Sequence, residues 1–455
     1  MISFRYQNAM VPSVRGADGL SDAELDQALA ASGPLCRRFA EESAKGLFGF
    51  AKLPARAEVA QAVVKFAQER RDRAKHFVQI GIGGSALGAT AIHTALSHRY
   101  HNQLAAKDRD FWPRFYVLDN VDPEETRALL ELLDPRETLY HVVTKSGDTT
   151  ETMAGFLTIL HRLKEVAGER WKQNLVFTTD PKKGFLRKMA QDEGIASFEI
   201  PDDVGGRFSV LTPVGLLPAA MLGLDAAAIL RGAAEMQGIC EGADARRNPA
   251  FMFALVSHLL DVKRGKRIHV MMPYSRALRD VGDWFRQLWA ESLGKNPQTG
   301  PTPVLALGTT DQHSQCQLYM EGPNDKFTVF LEVEKFRHDD TVPAAAPPDA
   351  SPAFLHGKTF SSILGAMKGG TEAALTRAGR PNATLCFPDV SERTVGGIFF
   401  LLEAATLFAG WLYNVNPFDQ PGVESGKKTA FALLGRPGYT TPPIPPLDPR
   451  YTAGA

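Results

Sequence analysis

From residue 76 the chain alternates short apolar runs with stretches of helix-forming residues, and this alternation limits the fold more than any other feature. HFVQI (76–80), FYVLD (115–119), LYHVVT (139–144) and NLVFTT (174–179) each read as buried strands. A second series follows: RIHVMMP (267–273), TPVLAL (302–307), FTVFLEV (327–333) and ATLCFP (383–388). Between the two lies a stretch of helical character, 212–264. Strands that are apolar throughout are covered on both faces, so the pattern predicts parallel sheets with crossover helices, an α/β fold. The two series match in architecture and show no residue-level repeat. At 455 residues the chain suits two such domains better than a single ordinary core. The expected divisions are a helical segment 1–50 packed on the outside, a first domain 51–211, the helical connector 212–264, a second domain 265–430 and a Pro-rich tail 431–455 that wraps a surface. TVPAAAPPDASPAF (341–354) reads as a surface loop with no chemistry.

Charge narrows the classes of function. The 51 Lys and Arg balance 51 Asp and Glu, so no global field gathers nucleic acid or an anionic membrane, and any anion must be bound locally. Cys36, Cys240, Cys316 and Cys386 form no CxxC pair, which argues against a disulfide framework and a zinc site and for a reducing, cytoplasmic setting. No stretch of 18 uninterrupted apolar residues predicts a membrane span, and MISFRYQNAM lacks the pattern of a secretory signal.

In an open parallel sheet ligands sit beyond the carboxyl ends of the strands. IGIGGSALG (80–88) has that position, with Gly84 and Ser85 at the start of a helix, where backbone N–H groups can meet an anion. A tight strand-to-helix turn explains the same glycines. The dinucleotide fingerprint is not matched, and Asp119 lies too far along to be its ribose-binding acid. VVTKSGDTTET (142–152) is the second such loop. Thr144, Ser146, Thr149, Thr150 and Thr152 supply five hydroxyls, whereas one is enough to cap a helix. Such a neutral cradle can ring a phosphate and release it. Asp148 would repel that phosphate and is expected to point away. No GxxxxGK[ST] motif marks a nucleoside triphosphatase.

Arg207 follows Gly205 and Gly206 in DDVGGRFSVLTPVG (202–215); its planar fork suits developing negative oxygen, though a GGR turn is often only a surface loop. DWFRQLWAESLGK (283–295) predicts an amphipathic helix stopped at Gly294, with Glu291 in the last turn and Gln287 four residues earlier on the same face. The helix dipole disfavours a carboxylate there, a placement suited to a general base. His313 in TTDQHSQ (309–315) is an acid/base candidate, while His98 and His101 read as solvated. No HExxH and no paired His/Asp spacing indicates a metal site. NPFDQPGVESGKK (416–428) carries Asp419, Gln420, Glu424 and Lys427 without a spacing that singles out a reaction.

Taken in order, IGIGGSALG, TKSGDTTET, VGGRFSVLTPVG, QLWAESLGK, GTTDQHSQ and GWLYNVNPFDQPGVESGKK resemble the motif set of the glucose-6-phosphate isomerase family in its shorter bacterial form. The resemblance spans roughly residues 76–430. It implies two sugar-isomerase domains, each a mainly parallel five-stranded sheet flanked by helices, in a homodimer without cofactor or metal. It further implies roles by matched position. Glu291 would move the proton between carbons 1 and 2, His313 from the other subunit would help open the ring, and Lys427 would assist at the ring oxygen. Arg207 would steady the enediolate, and Gln287 and Gln420 would position substrate. Gly84, Ser85, Thr144, Lys145, Ser146 and Thr149 would contact phosphate and sugar. The pattern departs at Thr144, where serine is commoner, and at Asp148, where threonine is. The readings left beside isomerisation of glucose and fructose 6-phosphates are an isomerase that also takes mannose 6-phosphate and a non-catalytic sugar-phosphate-binding regulator.

Overall fold

A computed structural model describes residues 1–14, 16–147, 149–344 and 352–454. Asp148 and half of the Pro/Ala-rich loop therefore lie outside the described residues. Ten strands are found among the rest: β1 (Ser3–Arg5), β2 (His76–Ile80), β3 (Arg114–Leu118), β4 (Thr138–Thr144), β5 (Leu175–Thr179), β6 (Ala196–Glu199), β7 (Ile268–Pro273), β8 (Thr302–Leu305), β9 (Lys326–Val333) and β10 (Asn382–Phe387). They build two five-stranded sheets, ordered β3-β2-β4-β5-β6 and β1-β10-β9-β7-β8. Every pairing is parallel except that of β1, which runs antiparallel along β10.

The α/β class and the parallel sheets are those the apolar runs predict. Their physical cause is visible in single strands. Phe77 faces one core while its neighbours Val78 and Ile80 face another; Met271 and its neighbours Val270 and Met272 divide in the same way. The largest core lies between the two sheets, filled by a layer of helices that includes Ala226–Cys240, Pro249–Arg264, Arg279–Leu293 and Glu392–Leu412.

Glu392–Leu412 is long and apolar enough to cross a membrane, yet it is the buried centre of that layer, packed on Ala226–Cys240 and Pro249–Arg264. Glu403, midway along it, is fully buried and neither carboxyl oxygen has a partner among the described residues. Burial pushes its pKa well above the ordinary carboxylate value.

Three expectations are corrected. The first 50 residues do carry the helices Asp22–Ser32 and Pro34–Ala44, but they are more than an outer layer: β1 edges the second sheet, and Leu25, Phe39 and Phe48 are buried in the main core. Few apolar side chains anchor these polar helices, which masks their burial in the sequence. His101 is not solvated. It is 7 % exposed, its Nε2 lies 2.9 Å from the Pro113 carbonyl, and burial lowers its pKa. The tail does not wrap its own chain; described residues from 435 onward are exposed almost throughout.

Candidate active site

The carboxyl ends of β2 and β4 carry the two loops singled out by their small polar residues. After β4, the hydroxyls of Thr144, Ser146 and Thr149 converge. Thr144 Oγ1 is 2.9 Å from Thr149 Oγ1 and 3.4 Å from Ser146 Oγ, and Ser146 Oγ is 3.5 Å from Thr149 Oγ1. Thr149 occupies the N-cap of the helix Thr150–Ala167, but its side chain makes no capping bond. A helix cap alone therefore does not explain these hydroxyls. Their arrangement at a helix start suits a small anion.

Lys145 has a different task from its neighbours. Its Nζ donates to the carbonyls of Asp202 and Val204, both at 2.8 Å, and ties this loop to the segment that leads into Arg207. Burial lowers its pKa, against the opposing pull of Asp202, Asp180 and Asp203.

The loop after β2 meets the same segment. A Cβ at Gly84 would stand 2.3 Å from the Gly206 carbonyl, so only glycine lets the two backbones touch. At Gly83, with φ of +57°, a Cβ would come within 2.8 Å of Gln287 Nε2. These glycines serve the close approach of protein to protein as much as any approach to an anion. Beneath them, buried Gln79 donates through Nε2 to the Ser85 carbonyl at 2.7 Å. Ser85 itself is half-buried.

Arg207 is the hub. It is 3 % exposed, and all five of its N–H groups are engaged. Nε donates to Ser292 Oγ at 2.8 Å, and Nη1 donates to Glu291 Oε2 at 3.2 Å and to Gln420 Oε1 at 2.9 Å. Nη2 donates to the carbonyls of Pro417 and Asp419. Burial lowers its pKa while Glu291 and Asp419 raise it, and a guanidinium remains charged at neutral pH. The GGR turn is thus not a surface loop.

Glu291 stands in the last turn of Arg279–Leu293, as its distance from Gly294 predicts. Its other oxygen accepts from Gln287 Nε2 at 3.1 Å, one helical turn back. The unfavourable end of the helix dipole is thereby met by an opposite charge and an amide donor. About a third of the Glu291 side chain remains exposed, enough for a substrate to reach it. Gln287 Oε1 is buried without a partner among the described residues, an acceptor still available to a ligand hydroxyl.

Two contributors were not singled out as site residues from the sequence. Ser292 holds Arg207 Nε, and Lys295 donates to the Glu291 carbonyl at 2.8 Å and pairs with Asp419 Oδ1 at 3.0 Å. Lys295 Nζ also meets the Asp419 carbonyl. The bond to Lys295 is the first cause of a lowered Asp419 pKa. The signal for Lys295 was present: a cation one turn beyond Glu291, at the end of a helix where cations are favoured.

His313 and Lys427 stand apart. His313 ends the short turn Thr310–His313, is exposed, and borders a cavity of about 330 Å³ with Phe336, His338 and Phe360. Lys427 lies on the exposed helix Glu424–Leu433, where it pairs with Glu424 at 3.2 Å. Among the described residues no hydrogen bond or ion pair joins either to Glu291 or Arg207.

A sequence model described as Phosphoglucose isomerase matches residues 65–439. The chain belongs to the phosphoglucose isomerase family. It is 47 % identical over 408 residues to glucose-6-phosphate isomerase of Carboxydothermus hydrogenoformans, covering 88 % of this chain and 87 % of that one. With the Rubrobacter xylanophilus glucose-6-phosphate isomerase it shares 44 % identity over 440 residues, 96 % of this chain and 99 % of the relative. Among solved structures, a hypothetical protein from Thermus thermophilus superposes with a TM-score of 0.83 at 37 % identity, covering 95 % of this chain and all of that one. The Chlamydia trachomatis glucose-6-phosphate isomerase shares the fold, with a TM-score of 0.73 at 24 % identity over 83 % of this chain and 73 % of the other. In this phosphoglucose isomerase family member, Glu291, Arg207, Gln287 and Gln420 are joined by hydrogen bonds within the chain, with Ser292 and Lys295 beside them, while His313 and Lys427 stand apart.

Proposed function

We propose that this phosphoglucose isomerase family member interconverts D-glucose 6-phosphate and D-fructose 6-phosphate by ring opening and proton transfer through a cis-enediolate. The observation that carries the reading is Glu291, held at 3.2 Å by Arg207 and at 3.1 Å by Gln287 while its side chain stays partly open. Glu291 takes the proton from carbon 2 and returns it to carbon 1, and the electron pair left behind becomes the enediolate. Arg207 has every N–H engaged, so it acts through its charge and by fixing Glu291 and Gln420, in a buried setting where that charge is poorly screened. Thr144, Ser146 and Thr149, with the helix start behind them, grip the phosphate, and binding energy at that remote group orients the reacting carbons. Gly84, Ser85, Gln287 and Gln420 position the sugar.

The remaining roles call for a second copy of the chain. His313 of the partner subunit opens the pyranose ring and Lys427 assists at the ring oxygen, both in a cytoplasmic homodimer. Their exposure within one chain suits such an arrangement. So do Leu433, Leu434, Ile444 and Leu447, large apolar side chains in the tail that are more than half exposed.

A coupled assay converting fructose 6-phosphate to glucose 6-phosphate tests the activity. Glu291→Gln should leave substrate binding intact and lower turnover by about a hundredfold to ten-thousandfold, the usual value of a positioned base. Retention of more than a tenth of turnover would remove Glu291 as the base.

A further inference from the structure

Four arginines gather at the end of the first sheet opposite the hydroxyl cradle. They line a cavity of about 460 Å³ at the amino ends of β4 and β5, where Thr138 and Asn174 form part of the wall. Arg70 and Arg73 come from the end of the helix Ala57–Arg70 and the turn after it, Arg136 from Pro135–Glu137 and Arg170 from Gly168–Asn174. No carboxylate is among the described residues lining the cavity. Arg136 pairs with Asp134 at 2.6 Å; Arg70, Arg73 and Arg170 have no ion pair among the described residues. Arg70 packs its guanidinium 5.3 Å from the Phe66 ring centre, and its Nε is buried without an acceptor.

In a chain whose charges otherwise balance, this placement needs an explanation. Like charges around one concavity repel, and a concave wall focuses their field. Four guanidiniums less the Asp134 charge leave about three positive charges for a ligand to meet. The volume falls in the range of small-molecule sites. Guanidinium forks match phosphate oxygens two at a time, and no feature of this wall requires a sugar or a base. We infer that this cavity is a second anion site, distinct from the catalytic one, that takes a small polyanion carrying two or three linked phosphate groups.

The two sites occupy opposite ends of one strand. β4 leaves the cavity at Thr138 and reaches the cradle at Thr144, at the far end of its seven residues. At about 3.3 Å per residue the sites are about 20 Å apart.

Sodium tripolyphosphate is the probe, titrated calorimetrically into the full-length protein at low and moderate salt, with and without saturating glucose 6-phosphate. One tripolyphosphate should bind per chain, more weakly as salt rises, and saturating glucose 6-phosphate should not displace it. Arg73→Gln with Arg170→Gln should weaken binding at least tenfold and leave kcat and KM unchanged in the absence of polyanion. Both side chains are exposed, so the fold should tolerate the change, and Arg170→Glu alone provides an independent variant. Absence of binding up to millimolar tripolyphosphate would overturn the inference. So would equal affinity in the variants, or displacement by glucose 6-phosphate, which would put the polyanion in the hydroxyl cradle instead. The binding readout does not depend on isomerase activity, so failure here leaves the catalytic reading intact.

Discussion

Thr149 holds the position from which a hydroxyl usually caps a helix, and here it turns toward Thr144 at 2.9 Å instead. A cap and an anion contact make opposite demands on the same oxygen, since the first directs it at its own backbone and the second at the ligand. Ser146→Ala with Thr149→Ala should therefore raise KM for the sugar phosphates by a factor of ten or more while altering any activity on free glucose or fructose little; equal losses would make the loop structural. Lys295 acts on the other side of the site. It links the end of the base's helix to Asp419, beside the Gln420 that Arg207 holds. Lys295→Met should lower kcat/KM by about ten- to a hundredfold, the worth of a charge-assisted bond, and Lys295→Arg should recover part of it. An unchanged kcat/KM in the Met variant would make Lys295 incidental. Glu291, Gln287 and Gly294 were legible because helix periodicity and a stop signal locate them. The uses of Lys145 and Ser292 were not, because each depends on a partner tens of residues away, Val204 for one and Arg207 for the other.

At the scale of elements, the long apolar strands were readable, since burial on both faces leaves a continuous signal. β6 and β1 were not. Each has four residues or fewer and lies at a sheet edge with a partly exposed pattern, and β1 owes its existence to β10, almost four hundred residues away. The helix Glu392–Leu412 offers a direct test of what burial does to a charge. Glu403 has an ordinary pKa near 4.5 when unfolded and a value well above it when folded. The folded state then holds a proton that the unfolded chain gives up. The stability associated with the neutral carboxyl is fully present below about pH 4.5 and is lost as pH rises toward the folded pKa. Glu403→Gln removes that linkage. Relative to the variant, wild type should lose unfolding free energy as pH rises above the ordinary carboxylate range, measured by denaturant titration. Parallel stability curves above that range would mean that the carboxylate ionises in place without cost.

At the scale of the whole molecule, the structure separates what one chain gathers from what it leaves outside. Glu291, Arg207, Gln287 and Gln420 meet within the chain, whereas His313 and Lys427 stand exposed and their roles rest on motif order alone. No pattern within a single sequence reveals a contact that a second copy completes. If each site combines Glu291 of one chain with His313 of the partner subunit across a two-fold axis, Glu291→Gln and His313→Ala should each be inactive as homodimers. Mixing them places both lesions in one site of the mixed dimer and leaves the other site whole. Random pairing makes half the dimers mixed, and each of these has one good site of two. Unfolding and refolding an equal mixture should therefore restore about a quarter of wild-type activity. With both residues from the same chain, every site would carry a lesion and nothing would return. A refolded mixture that stays inactive, with mixed dimers demonstrated by native mass measurement, would put His313 in its own subunit's site or outside the chemistry.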